Sequence, residues 1–326
     1  MIESKKLPLA LTVLGFGAMV ASAEIKINDN FSTSGFVDMS ANGMAVKDSD
    51  ATLNGSLDQY EMDFFYKFGF FSARADINSL SGGASGIFTE QAFITAALTQ
   101  ELSLGMGRFL SSSGFEAAEP TGLYQYSTSK QTAGVYGYYQ NGINIAYNTP
   151  KFGLYGAVVS DLWNPNETEL LNSPGFEGQI SVMPVAGVTI KATQLWQIRD
   201  KDAASTLGDD GQGLTNIWAS YAMGKLTAAA EFNLLESWTG NATNDATGMG
   251  WLAMVNFKAT DKVGLTLRYS ALTIDDENSA TDDMGSEVTF SPSFQVSPNW
   301  LVLAEVRQDF GNFEATSYAA ESTFSF

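Results

Sequence analysis

Charged side chains recur at alternate positions along this chain, and fixed charges held against water are the chemistry it offers most directly. Arg74, Lys191, Arg199, Arg268 and Arg307 form a basic set on the wet parity of their segments; Asp38, Glu61, Asp63, Glu231, Glu305 and Glu321 form the acidic set. Rows of opposite charge facing one another across water set a field that sorts ions and dipolar solutes. A second group is close in sequence. The stretch "SSSGFEAAEPTGLYQYSTSK" (111–130) carries Glu116, Glu119, Tyr124 and Tyr126. A connection this long either stands in solvent or folds inward, where its carboxylates would face the arginines across a narrowed passage. Its tyrosines could also stack on sugar faces.

Bond-making chemistry is poorly served. The chain has no histidine and no cysteine, which excludes a Ser-His-Asp triad, an Asp-His dyad and histidine-ligated zinc. An enzyme is therefore not expected, and no cofactor is implied. No phosphate-cradling glycine loop and no metal cluster stands out. The acidic stretches 199–213 and 275–287 carry hard oxygen donors suited to Ca²⁺ or Mg²⁺, but neither has the D-x-[DN]-x-[DN]-G spacing, and both read as solvated loops. The net charge of −19 repels nucleic acid and attracts cations.

The elements that must position these charges show a two-residue period. In 60–68, Tyr60, Met62, Phe64, Tyr66 and Phe68 alternate with Glu61, Asp63 and Lys67. In 263–270, Val263, Leu265, Leu267 and Tyr269 alternate with Gly264, Thr266, Arg268 and Ser270. Such alternation marks strands with one apolar and one wet face. The segments number about sixteen and run to roughly 9–14 residues, against ~5–6 in ordinary sheets. Short connections alternate with long ones rich in Gly, Ser, Asn and Asp. Tyr60, Trp196, Trp251, Trp300 and Phe310 sit on apolar faces towards strand ends, as interfacial girdles do. The reading is an all-β fold: a transmembrane antiparallel up-and-down barrel of about sixteen strands, with short periplasmic turns and long external loops.

Three places fit this rhythm badly. Pro292 interrupts the strand 286–297 on its apolar parity. Arg108 shares the apolar parity of Leu102, Leu104 and Met106; either a bulge at Gly105–Gly107 turns it inward, as a pore-lining residue, or it snorkels at the upper interface. The stretch 132–148 is either one long strand or a hairpin at Asn141-Gly142, and one strand keeps the count even.

The amino terminus has the layout of a secretory signal peptide. Lys5 and Lys6 precede an apolar run from Leu7 to Val20, and Ala21-Ser22-Ala23 is a small-residue cleavage site. Residues 1–23 are thus expected to be removed and 24–326 to form a single barrel domain. At the other end "YAAESTFSF" places Tyr318, Phe324 and Phe326 on one parity. This resembles the signal by which outer-membrane barrels are recognised for insertion.

The stretch 105–139 carries Gly107-Arg108-Phe109, Gly114-Phe115-Glu116, Tyr126-Ser127 and Thr132-Ala133-Gly134-Val135. It resembles the OmpL-like β-barrel porin family of Gram-negative outer membranes, departing from it at the Ala133 insertion and the aromatic–Ser pair. The resemblance implies a porin-like barrel. The expected function is passive diffusion of small hydrophilic solutes or ions, with a mild preference for cations. The alternative is a non-conducting barrel acting through its external loops as an adhesin or structural envelope protein. Expected partners are outer-membrane lipid and lipopolysaccharide, the barrel-assembly machinery, the solutes themselves and a homotrimer.

Overall fold

The computed structural model describes residues 24–46, 50–80, 86–132, 134–164, 166–170, 173–198, 211–238, 246–275, 283–311 and 314–326. The expected signal peptide, Arg199 and most of the two acidic loops lie outside these residues. A two-residue stub, β1 (Ile25–Lys26), pairs with Thr33 and Ser32. The barrel strands are β2 (Phe31–Val46), β3 (Asn54–Phe68), β4 (Phe71–Leu80), β5 (Ile87–Ala97), β6 (Leu102–Leu110), β7 (Tyr139–Asn148), β8 (Phe152–Val159) and β9 (Gly175–Val182). They continue with β10 (Val188–Gln197), β11 (Gln212–Met223), β12 (Leu226–Glu236), β13 (Thr247–Lys258), β14 (Val263–Asp275), β15 (Asp283–Ser297), β16 (Trp300–Gly311) and β17 (Ala315–Ser325). Each of these is antiparallel to the next, and β17 returns to β2. That seam runs from Ala315 opposite Val46 to Ser325 opposite Phe36, and closes sixteen strands into a barrel.

Closure continues one residue past the ladder. Gly35 and Phe326 exchange both backbone hydrogen bonds at 2.9 Å. Gly35 has to be glycine here: a Cβ on it would lie 2.4 Å from the Glu61 carbonyl and 3.0 Å from the Phe326 ring.

The faces are inverted relative to a water-soluble sheet. Glu61, Asp76, Arg268 and Glu287 are buried inside, whereas Ile94, Met106, Ile180, Leu267 and Val306 are among the large apolar side chains exposed outside. A continuous apolar exterior is stable only against hydrocarbon, and a closed ladder leaves no unpaired backbone edge to desolvate. Tyr60, Trp196, Trp251, Trp300 and Phe310 all lie on this outer face. Short turns at 69–70 and 224–225 begin with Gly69 and Gly224, both at φ +61°, the conformation a two-residue hairpin turn demands.

The three misfits resolve differently. The ladder from β15 to β16 omits Ser291 and Pro292, and Ser291 Oγ donates to the Ala304 carbonyl at 2.8 Å in place of a backbone bond. The 132–148 stretch is corrected: only Tyr139–Asn148 is strand, and 132–138 belongs to the preceding loop, where Val135 and Tyr136 enter an apolar cluster rather than a ladder. Asn141 and Gly142 pair across to Arg108 and Gly107 without a turn. The ladder to β7 runs through Arg108 and the ladder to β5 ends at it, neither with a register shift, so no bulge turns it inward. Arg108 is corrected from the pore-lining set to the outward parity of Leu104 and Met106, near the long-loop end, where its Nε donates to the Glu90 carbonyl at 2.8 Å.

Candidate functional site

The lumen is organised by the connection between β6 and β7, residues 111–138, which lies within the barrel. Its backbone is held at intervals by wall side chains. Ser112 N donates to Glu177 Oε1 at 2.7 Å, Gly114 N to Asn216 Oδ1 at 3.1 Å, and Phe115 N to Glu231 Oε1 at 3.1 Å. Further on, Ser127 N donates to Glu305 Oε2 at 3.0 Å and Lys130 N to Ser270 Oγ at 3.3 Å. A loop has no ladder of its own to satisfy its N–H groups, so wall acceptors do it here.

Arg268 is the central clamp. It is fully buried, and its Nη1 donates to Glu116 Oε1 and to the Ser127 carbonyl, both at 2.6 Å. Its Nη2 reaches Glu287 Oε1 at 2.8 Å and Thr289 Oγ1 at 3.1 Å. Glu116 also accepts from Gln125, Ser129 N and Thr132, so one carboxylate holds both the loop's own shape and its seat on β14. Glu231 on β12 is the second anchor, accepting from Asn216, Gln131 and Tyr136 besides Phe115 N.

The two sides of the lumen differ. Against β8–β13 the loop packs tightly. Val135 and Tyr136 meet Val159, Leu162, Leu195, Leu214, Leu235 and Trp238 in a dry cluster, and Phe115 and Tyr124 lie on Ala229, Leu252 and Met254. On the opposite side a cavity of about 330 Å³ remains between the loop and the wall. Asp38, Asp58, Gln59, Tyr126, Arg307 and Glu321 line it. Tyr126 Oη accepts from Asn42 Nδ2 at 3.0 Å, and Thr323 Oγ1 donates to Asp38 Oδ1 at 3.1 Å. Arg307 faces Glu287 at 3.7 Å and Asp309 at 3.2 Å.

Beside that cavity, β3, β4, β5 and the loop bring five carboxylates together. Arg74 Nε pairs with Asp76 at 2.8 Å, and its Nη2 lies 3.5 Å from Asp63 and 3.9 Å from Glu119. Oxygens of Glu61, Glu90 and Glu119 lie within 4.8 Å of one another, as do those of Glu61, Asp63 and Asp76. These carboxylates come from separate stretches of the sequence, and only the fold brings them together. Two full charges at that separation repel by about 3 kcal/mol at an effective dielectric near 20. Withdrawal from bulk water pushes the Glu119 carboxyl up to about 7, against the pull of Arg74.

Of the remaining candidates, Lys191 sets its Nζ 5.2 Å from the centre of the Trp218 ring. Asp63 accepts from Ser34 Oγ at 2.8 Å. Phe324 and Tyr318 are on the outward parity of β17, and Tyr318 Oη donates to the Thr52 carbonyl at 2.7 Å. Sequence reading missed Asp58 and Glu90. Each occupies a register shift, one between β2 and β3 and one between β4 and β5. A bulge turns two successive residues to the same side, so Glu90 and Gln91 are both buried inside. Adjacent polar pairs, Asp58-Gln59 and Glu90-Gln91, are the sequence signal. Asp76, Glu177, Glu287 and Asp309 were missed although parity alone marks them as inward.

A family model described as "Putative beta-barrel porin-2, OmpL-like" matches residues 18–326. No curated protein matches the chain in sequence. Among solved structures, a Salmonella typhi OmpF complex with daunomycin superposes with a TM-score of 0.74 at 13% identity, covering 93% of this chain and 100% of that one. An anion-selective porin from Comamonas acidovorans superposes at 0.65 and 11% identity, covering 91% and 99%. The trimer form of OmpT, an outer-membrane protein of Vibrio cholerae, superposes at 0.66 and 12% identity, covering 91% and 100%.

Proposed function

Because this chain belongs to the OmpL-like beta-barrel porin-2 family, we propose that it serves in the bacterial outer membrane as a water-filled channel for passive diffusion of small hydrophilic solutes and ions, with a mild preference for cations. The observation that carries this reading is the cavity beside the inward loop, where Asp38, Asp58 and Glu321 lie across from Arg307. Loop 111–138 acts as the constriction. Glu116 fixes it through Arg268, Tyr124 and Tyr126 seat it against opposite walls, and Glu119 faces Arg74 at its rim. Asp38 and Glu321 attract cations at the open side, with Glu61 buried behind them, while Arg307 supplies the opposing pole. Residues 1–23 direct export, and the outward aromatics of β17 with Phe326 mark the chain for the barrel-assembly machinery. The outer face is solvated by lipid and lipopolysaccharide, and the trimer form of the Vibrio cholerae protein supports a homotrimer here.

Planar-bilayer recording of the refolded protein tests the reading. Stepwise conductance and a cation-directed reversal potential under a KCl gradient are expected. A membrane that shows no steps with folded protein present overturns it.

A further inference from the structure

We propose that Lys191 and the indole N–H of Trp218 form a subsite for the carboxylate group of a small organic solute, on the lumen wall beside the inward loop. The proposal rests on the channel reading, since a solute reaches this wall only through an open lumen.

Lys191 on β10 and Trp218 on β11 are direct cross-strand partners on the inward parity of their strands. The lysine Nζ lies 5.2 Å from the centre of the indole ring. The ring face attracts the ammonium but leaves its charge in place. The other lumen cations are paired. Arg74, Lys130, Arg268 and Arg307 have carboxylate oxygens at 2.8, 3.9, 2.6 and 3.2 Å. Among the described residues, Lys191 has neither a carboxylate at ion-pair distance nor a hydrogen-bond acceptor. The carboxylates on the neighbouring strands are engaged elsewhere. Glu177 accepts from Ser112 N and Gln140 Nε2, both at 2.7 Å. Glu231, opposite Trp218, accepts from Phe115 N, Gln131, Asn216 and Tyr136. Ser181, opposite Lys191, and Ser220, two residues along from Trp218, flank the pair with neutral hydroxyls.

A second observation comes from the indole. Trp218 is only 4% exposed, and its Nε1 is buried without an acceptor. A buried donor left unpaired is rare and costs free energy. Indole N–H and ammonium are donors only, so neither can satisfy the other. A carboxylate satisfies both, because each oxygen takes one donor and the anion offsets the ammonium. Water would serve the N–H alone, and a cation would serve neither. Lys191 is half-buried, on a flexible four-carbon stem. A carboxylate in the lumen meets the ammonium first, and movement of that stem carries it to the indole. Phe115 packs edge-on against Trp218 at 5.6 Å and keeps the ring from turning away.

The test uses the full mature chain refolded into neutral detergent micelles, with folding checked by heat-modifiable electrophoretic mobility. The six tryptophans give indole N–H signals in a ¹H–¹⁵N spectrum, and the signal missing from Trp218→Phe belongs to Trp218. Sodium propionate at millimolar concentration should move that signal downfield to saturation. Propionamide, its neutral analogue, should not. Lys191→Gln should weaken the response about tenfold or more, as loss of a charge-assisted hydrogen bond does. Lys191→Arg keeps the charge and should retain the response. Lys151→Gln, in an exposed short turn, should respond as the parent does. The parent's own titration keeps the test open if a Lys191 variant fails to fold. No movement of the Trp218 signal, movement unchanged in Lys191→Gln, or equal movement with propionamide overturns the subsite. Conductance is recorded on the same preparations. Steps without an indole response sink the subsite alone, and an indole response without steps sinks the channel reading.

Discussion

The two sides of the lumen are built to opposite rules. Against β8–β13 the wall turns leucines and valines inward, and the loop covers them with Val135 and Tyr136. Against β16, β17, β2 and β3 the wall turns Glu321, Asp38 and Gln59 inward, and open volume is left. The first side is a small globular core inside a membrane barrel, held by the hydrophobic effect and close packing. The second keeps like charges near one another at a cost in stability. A barrel needing only to stand in a membrane gains nothing from the second arrangement. The contrast separates what holds the loop from what faces the passage.

Breaking the holding side should have the largest effect. Arg268→Met leaves Glu116 buried without its cation and Glu287 with only the longer contact to Arg307, and removing one partner of a buried pair costs about 3–5 kcal/mol. The urea unfolding midpoint in micelles should fall accordingly, and the loop should lose its seat. Leu195→Ala comes next. It opens a void beneath the loop's apolar cluster, with an expected loss of about 2–4 kcal/mol by the same measurement. On the open side the expectation reverses. Asp38→Asn combined with Glu321→Gln relieves repulsion between buried carboxylates, so the midpoint should hold or rise. The reversal potential under a KCl gradient should instead move towards zero. A midpoint drop as large as that of Arg268→Met would show that both sides are structural and would end the contrast. The smallest effect belongs to Lys26→Ala. The exposed pair Lys26–Asp29, at 2.9 Å, is screened by solvent, and its loss should leave midpoint and conductance unchanged.

Much of the fold is legible in the sequence because lipid and water impose opposite demands at every second residue. Tyr60 outward and Glu61 inward follow from parity alone, as do Leu267 and Arg268. Legibility fails where the inward face meets protein instead of water. In β10 the inward–outward alternation is unbroken, but the polar and apolar residue types exchange faces at Gln194 and Leu195. Leu195 turns in under the loop, while Gln194 turns out and its Oε1 accepts from Thr215 Oγ1 at 2.6 Å. No period in the strand announces this, because the partner that buries Leu195 lies some sixty residues earlier. The carboxylate cluster is hidden for a related reason. Glu61, Glu90 and Glu119 are far apart in the chain, and Glu90 reaches the lumen only through a bulge that breaks the parity rule. The end of the loop was misread as strand since Val135 and Tyr136 have strand-forming side chains, and only tertiary burial takes them out of the ladder.

The seam between β17 and β2 has a kinetic consequence. It joins the residues most distant along the chain, Phe36 with Ser325 and Gly35 with Phe326, so it carries the largest loop-closure entropy and cannot form early. Until it forms, any partly folded barrel presents two raw edges, each a template for a neighbouring chain. The growing sheet is therefore safest where other copies are scarce, and the crowded pairing at Gly35 and Phe326 works as a late checkpoint. A bulkier residue at position 35 should trap an open sheet and drive it towards aggregates.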